Sequence, residues 1–408
     1  MIRKSALMLG LPVMLAIAGC SGGEEQAPAP EATATQSVDE NYADEMRSND
    51  RGDVQSEASI PDAEDRPTMQ AQVVLDRLGF SPGVIDGKMG LSTENALEAF
   101  QEANDLDTTG KLDDATKEAL QRWQDIPATR VVTIPEDFAV GRFEKLPDDP
   151  AEQAKMARLG YESLDEKLAE RFHTTVETLE MLNPDGKPAT SEATPDGGAS
   201  PTPSPTTTST PTPAPSATAS GDAKAGPPSK FAAGQKIRVP NIGADFIDRK
   251  ADVDTNWRDT LRMLGVGTDQ PEVAKIVADK SEDTLKAYDA EGKLVAAFTI
   301  TSGSSHDPLP IGEWKILGIA HNPPFAYDPS LFWDVPDDAE KQQLPPGPNG
   351  PVGVVWIDLS KEHYGIHGTP EPETIGRAES HGCVRLTNWD AARLAEMVSQ
   401  STQVIFKE

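Results

Sequence analysis

Apolar positions first recur at helical spacing between residues 67 and 123. Val74, Leu75 and Leu78 run up to Gly79, a C-terminal stop; Ala96, Ala99, Phe100 and Ala103 form a second stripe, and Leu112, Thr116, Ala119 and Leu120 a third. Between the first two, GFSPGVIDGKMGLST holds turn-forming Asp86, Gly87 and Gly90, then Ser92 or Thr93 as a cap. This pattern predicts a small three-helix unit. Two capping boxes follow, Ser163 with Glu166 and Thr174 with Glu177, opening short helices that carry Leu164, Leu168 and Phe172, then Leu179 and Leu182. Asn183-Pro184 ends the second helix, and GQKIRVP, from Gly234 to Pro240, reads as a short strand whose partner is poorly marked. Beyond residue 271 strands dominate. Ala274 to Ala278 and Leu294 to Thr301 are apolar or β-branched runs separated by turn-forming Asp289, Glu291 and Gly292, and Val352 to Leu359 reads as a core strand. Thr387 or Asn388 caps a final helix with Ala391, Leu394, Ala395 and Val398 on one face.

Elsewhere the apolar pattern fades. Residues 21–66 are rich in Ala, Glu, Asp, Pro and Ser and cannot bury enough surface to fold, which predicts a disordered acidic tether with a span of roughly 40 Å. Residues 199–220 contain only Ala, Ser, Pro and Thr, so the middle unit carries an extended, exposed insertion between its second helix and last strand. With 35 prolines among 408 residues, the chain is expected to be several small modules and linkers rather than one large core. The net charge of −30 excludes nucleic-acid or anionic-membrane binding driven by charge. At the start, Arg3 and Lys4 precede an apolar run, Leu7 to Ala18, that is too short to span a membrane and reads as a secretion signal ending at Cys20.

Candidate chemistry gathers in YGIHGTPEPETIGRAESHGCVRL, from Tyr364 to Leu386, which holds two of the six histidines and the only cysteine outside the leader. A free thiol, with a pKa of about 8.5, needs a base nearby to act as a nucleophile at neutral pH, and His367 and His381 are the candidates. Sixteen residues separate His367 from Cys383, so the two meet only if the chain doubles back, a return to which Pro370, Pro372 and Gly376 are suited. The predicted helix places Cys383 just before a helix start, where a thiolate is favoured. Two blander readings compete. A lone cysteine is commonly a small buried apolar residue. His363, His367, His381 and Cys383 are all acceptable zinc ligands, although Gly365 and Gly368 argue against the helix that the His363–His367 spacing needs.

HGT followed by SHGCVR resembles the catalytic signature of the L,D-transpeptidase (YkuD) family, enzymes of the bacterial cell wall. That resemblance extends over 271–408 through Pro310-Ile311-Gly312-Glu313-Trp314 and Asn322-Pro323-Pro324. It implies a mainly-β catalytic domain in which Cys383 is the nucleophile, His367 the base and acid, and backbone N–H groups around His381, Gly382 and Cys383 the oxyanion hole. Ser380, Arg385, Gly368 and Thr369 would bind substrate, and no metal or organic cofactor is implied. The three-helix unit, 67–123, resembles a peptidoglycan-binding domain. The middle unit, 155–242 with its insertion at 185–230, resembles a LysM module, a strand, two helices and a strand that bind wall glycan. Ile17-Ala18-Gly19-Cys20 resembles the lipobox, which implies cleavage before Cys20, its acylation, and, with Ser21 following, residence at the periplasmic face of the outer membrane of a Gram-negative bacterium. Cys383 would then be an unpaired thiol in an exported protein.

The expected reaction is acyl transfer on peptidoglycan: the thiol takes the diaminopimelate carbonyl of a tetrapeptide stem, D-alanine leaves, and an amine accepts the acyl group. That amine would belong to another stem, giving a 3-3 crosslink, to a lysine of an outer-membrane protein, or to a D-amino acid. The alternatives are a hydrolase built on the same site and a non-catalytic wall-binding lipoprotein. His321 is expected to serve a loop, and His306 and His173, which belong to no motif, to lie on the surface.

Overall fold

The computed structural model describes residues 60–189, 224–243, 247–248, 253–333, 335–336 and 338–408. The leader with Cys20, the tether up to residue 59 and the insertion from 190 to 223 lie outside the described residues.

Three helices come first: α1 (Pro67–Arg77), α2 (Leu91–Ala103) and α3 (Asp114–Leu120). Strand β1 (Thr129–Thr133) and two single-turn helices, α4 (Glu136–Ala139) and α5 (Pro150–Gln153), lead to α6 (Leu164–Arg171) and α7 (Val176–Leu182), and β2 (Lys236–Pro240) then returns antiparallel to β1 with Val131 opposite Arg238. The middle unit is therefore a strand, two helices and a strand, but its first strand lies well upstream of residue 155, where the sequence pattern begins. TRVVT is short and interrupted by Arg130, and the long connection through α4 and α5 hides the pairing. Ser163 caps α6 as expected, its hydroxyl accepting from the Glu166 N–H at 3.1 Å. The α7 cap is Thr175, which accepts from Thr178 N–H at 3.1 Å, while the Thr174 hydroxyl donates inward to the Ile85 carbonyl at 2.6 Å. Gly90 rather than Ser92 or Thr93 starts α2, because the buried Thr93 hydroxyl accepts from the Gln72 amide instead.

After α8 (Thr255–Leu264) come β3 (Lys275–Asp279), β4 (Thr284–Tyr288), β5 (Leu294–Thr299), β6 (Thr301–Ser302), β7 (Gly312–His321), β8 (Phe325–Tyr327), β9 (Gln342–Leu344), β10 (Val355–Leu359), β11 (Gly365–His367), β12 (Val384–Arg385), α9 (Asn388–Met397) and β13 (Gln403–Lys407). Nine of these strands form one sheet in the order β5-β4-β3-β13-β7-β10-β11-β12-β6. The ten-residue β7 joins its halves, pairing with β13 through Gly312–Lys315 and with β10 through Ile316–His321. Alternation then decides the faces. In β10, Val355, Ile357 and Leu359 point into a core with Ile366, Val384 and the α9 residues Trp389, Leu394 and Ala395, which leaves Trp356 and Asp358 on the other side.

The three units share cores rather than standing apart. Helix α1 buries Met69 and Val73 against Leu168, Leu179 and Val239 of the middle unit, and Val74, Leu75 and Leu78 against α2 together with Leu294 and Ala297 of the large sheet. Residues 79–81 pair with the outer strand β5: Ser81 N–H donates to the Ala297 carbonyl at 2.8 Å and Ala297 N–H to the Gly79 carbonyl at 3.0 Å. A sheet edge that would otherwise expose unpaired groups is thereby closed. Gly79 makes this approach possible, with φ of +88° and a site where a Cβ would lie 2.9 Å from the Val295 carbonyl.

His173, expected on the surface, is 1% exposed. Its ring stacks on Trp389 at 4.9 Å, Nε2 faces the Leu264 carbonyl at 2.9 Å and Nδ1 faces Asp76 at 3.3 Å. Asp76 also receives Arg393 from α9, at 3.3 Å. This buried cluster ties one residue from each unit to the others. Its partners lie 97 and 317 residues apart in sequence, beyond the reach of any periodicity argument.

Candidate functional site

The expected return of the chain takes place as two parallel neighbours, β11 and β12, with Ile366 opposite Val384 and His367 opposite Arg385. Pro372–Thr374 form a 3-10 turn in the connection, and Gly376 adopts φ of +74°. Ile366 and Val384 are fully buried on the core face, so His367 and Arg385 share the opposite face with Trp356, whose ring stacks on His367 at 5.5 Å. Cys383 precedes β12 on that same side. Its Sγ–H points to the His363 carbonyl at 3.7 Å, just before β11, and His367 lies four residues further along the chain. No hydrogen bond joins the sulfur to the imidazole among the described residues, the loose geometry common at a catalytic pair before substrate binds.

The protonation states suit a base and an acid awaiting transfer. Burial, with the positive Arg385 adding to it, holds the His367 pKa down to about 4, so the ring is neutral at physiological pH. Its Nδ1–H donates to the Gly368 carbonyl at 2.7 Å, which fixes the tautomer and leaves the Nε2 lone pair as the proton acceptor. Burial raises the Cys383 thiol, an effect that a Gly365 backbone hydrogen bond and the Arg385 charge only partly offset. The expectation of a helix terminus lowering this thiol fails. Thr387 caps α9, its hydroxyl accepting from Asp390 N–H at 3.1 Å, and β12 separates that helix start from the sulfur.

The remaining candidates divide into backbone shapers and wall residues. Ser380 is buried with both capacities of its hydroxyl used, accepting from Gly303 N–H at 2.6 Å and donating to the Cys383 carbonyl at 2.7 Å, so it holds the Cys383 segment instead of facing outward. Gly382 has φ of +91°, and a Cβ there would lie 2.4 Å from Cε1 of Tyr364; only glycine fits. The Thr369 hydroxyl is buried and accepts from Glu371 N–H at 3.3 Å. His381 meets the edge of Phe332 at 4.9 Å and lies 6.0 Å from Trp333. The sequence reading missed that aromatic wall. Trp333, 54% exposed, also stacks on the exposed His306, and the available signal was an apolar Leu331-Phe332-Trp333 run within an otherwise polar loop. His321 serves structure as expected, stacked on Trp257 at 4.1 Å beside the Asn322 turn.

A mainly-β domain with a protonated thiol, a neutral imidazole of fixed tautomer and a cation on one sheet face has the groups that thiol-dependent acyl transfer requires. The L,D-transpeptidase catalytic domain model (YkuD) matches residues 274–406, and the peptidoglycan binding domain model matches residues 65–120. The protein named L,D-transpeptidase YkuD of Bacillus licheniformis is 52% identical over 176 residues, 43% of this chain and 76% of that protein. A Fuscovulum blasticum protein named as an L,D-transpeptidase in the ATP synthase subunits region is 32% identical over 181 residues, 42% of this chain and 89% of its own. Among solved structures, L,D-transpeptidase 3 from Mycobacterium tuberculosis in complex with a faropenem-derived adduct aligns at 18% identity over 44% of this chain and 76% of that one, with a TM-score of 0.28. The chain belongs to the L,D-transpeptidase family. It is a peptidoglycan-modifying transpeptidase that pairs a β-rich catalytic domain with a helical peptidoglycan-binding domain.

Proposed function

We propose that Cys383 is the nucleophile and His367 its base and acid in acyl transfer from a tetrapeptide stem. Sγ attacks the carbonyl carbon of the diaminopimelate residue as its proton passes to Nε2 of His367. The imidazolium returns that proton to the nitrogen of D-alanine, which leaves, and a thioester remains on the sulfur. An acceptor amine then attacks the thioester, loses a proton to His367, and the thiol is regenerated as the new amide forms. Backbone N–H groups at His381, Gly382 and Cys383 would hold the oxyanion, with Arg385, Gly368, Thr369 and the His381 wall around the stem and Ser380 shaping the loop. The acceptor would be another stem, a lysine of an outer-membrane protein or a D-amino acid.

The observation that carries this reading is the His367 tautomer. The Gly368 carbonyl holds Nδ1–H at 2.7 Å, so the neutral ring carries its lone pair on Nε2, free of the backbone contact. Incubation with a disaccharide tetrapeptide followed by intact mass measurement is expected to trap a disaccharide tripeptide on Cys383, with one equivalent of D-alanine released. Release without any adduct or new dimer, leaving only free tripeptide, would favour hydrolysis. A second expectation follows from the His367 pKa near 4. The base is lost only when the ring gains its proton, so kcat/KM should be level from about pH 5 to 8 and fall about tenfold per unit below the His367 pKa. A limb near pH 6.5 in the measured profile would contradict the proposed state of His367.

For the rest of the chain, the strand, two helices and strand of the middle unit support a LysM-like role in holding glycan. The lipobox-like ending at Cys20 supports a lipid-anchored protein at the periplasmic face of the outer membrane, tethered through residues 21–66.

A further inference from the structure

We infer that Glu170, carried by α6 of the middle unit, is a positioning residue for the catalytic domain, acting through Asn388 on the loop that orients His367. The inference rests on the proposed role of His367 as base. Glu170 is buried, its Oε1 accepting from Asn388 Nδ2–H at 2.7 Å and its Oε2 accepting from the Tyr161 hydroxyl. The same Asn388 amide donates to the Pro348 carbonyl at 3.0 Å, and its Oδ1 accepts from Val354 N–H at 3.2 Å. Three of the four hydrogen-bonding directions of Asn388 are thus filled, and the three partners agree on one orientation of the amide. Its Oδ1 lies against two glycines: a Cβ would be 1.8 Å away from it at Gly353 and 2.2 Å away at Gly368. Gly368 in turn supplies the carbonyl that receives His367 Nδ1–H. The path from the middle unit to the imidazole is four groups long: carboxylate, amide, glycine and ring.

Burial pushes the Glu170 carboxyl up to about 7, with the Tyr161 and Asn388 hydrogen bonds opposing and nearby Glu166 adding to the rise. An ionisable group retained at such cost calls for a return, and the catalytic reaction as described uses it for nothing else. Its two oxygens accept from two donors at once. A leucine in the same place offers no acceptor to Asn388 Nδ2–H, so the amide must turn or shift, whereas a protonated carboxyl or a glutamine keeps a carbonyl oxygen for Asn388 and turns its own donor to the Tyr161 oxygen. Misplacement of a base by an ångström or less lowers kcat while leaving stem binding intact.

Glu170→Leu in the full chain is expected to lower kcat for D-alanine release about tenfold with KM within twofold of the parent, and Glu170→Gln, which keeps the acceptor, to stay within about threefold. The 15N spectrum of the His367 ring in Glu170→Leu should lose the single Nδ1–H tautomer and show exchange between the two forms. Glu170→Asp, one methylene short of Asn388, should behave like Glu170→Leu, while Tyr161→Phe, which leaves the Glu170–Asn388 bond in place, should stay within about threefold of the parent kcat. An unchanged kcat and tautomer in a folded Glu170→Leu enzyme would overturn the inference, as would a Tyr161→Phe loss equal to that of Glu170→Leu. Loss of activity in His367→Ala alongside an unaffected Glu170→Leu removes only the positioning role. A fully active His367→Ala removes the reading beneath it as well.

Discussion

Replacing Cys383 by alanine is expected to slow D-alanine release from a tetrapeptide stem by at least about ten-thousandfold while KM for the stem stays near the parent value. In the proposed mechanism the thiol holds the acyl group between the two half-reactions, so its loss removes the pathway rather than weakening one contact. Cys383 lies with Gly382 on one side and β12 on the other, and alanine fills its place without a new clash, so the folded state should persist. His367→Ala should cost less, on the order of 10²–10⁴-fold, because bulk water can still accept the thiol proton. The burial-raised thiol makes that replacement poor: without the neutral ring, very little thiolate forms at neutral pH. Initial rates of D-alanine release for the two variants check both statements. A Cys383→Ala enzyme within tenfold of the parent would transfer the chemistry to some other group.

Arg393→Ala is expected to destabilise the folded chain by about 3–5 kcal/mol. Asp76 is buried, and burial alone would raise its pKa; the Arg393 guanidinium and His173 overcome that and hold the carboxyl well below the usual carboxylate range. Truncating Arg393 leaves a carboxylate inside the protein with only His173 at 3.3 Å to answer it. The sign of the pH dependence follows. A carboxyl with a depressed folded pKa contributes stability that is complete above its unfolded value of about 3.9 and is lost as pH falls through the folded one. The parent should therefore lose stability below about pH 4, and the variant should lose much less over that range, having little of this term to give up. Urea unfolding midpoints at pH 7 and pH 3 measure both. A change under about 1 kcal/mol at pH 7 would mean that the cluster contributes no net stability.

The sheet strands and the family resemblance were legible because their signals are local. Ala274 to Ala278 and Leu294 to Thr301 overlap β3 and β5, and HGT and SHGCVR are each contiguous in sequence whatever the loop between them does. What escaped was set by contacts distant in sequence. His173 looked like a surface residue because its acceptors, Asp76 and Leu264, lie 97 and 91 residues away. Ser380 looked like a substrate contact until both ends of its hydroxyl met backbone groups. The first strand of the middle unit is weak in the sequence because Arg130 interrupts it; only pairing with Lys236–Pro240 makes it a strand. The helix start at Thr387 was placed correctly, but β12 stands between it and Cys383, so the dipole does not reach the sulfur and burial sets the direction of the thiol shift.

Joining 79–81 to the rim of β5 has a consequence for how the enzyme would meet its polymer. A limb hung on a swivel samples many headings; a limb welded to its tool keeps one. A sugar chain gripped by the leading helices would present its peptides to the sulfur from one fixed bearing, and which neighbour receives the fragment would then be dictated by the weave of the wall.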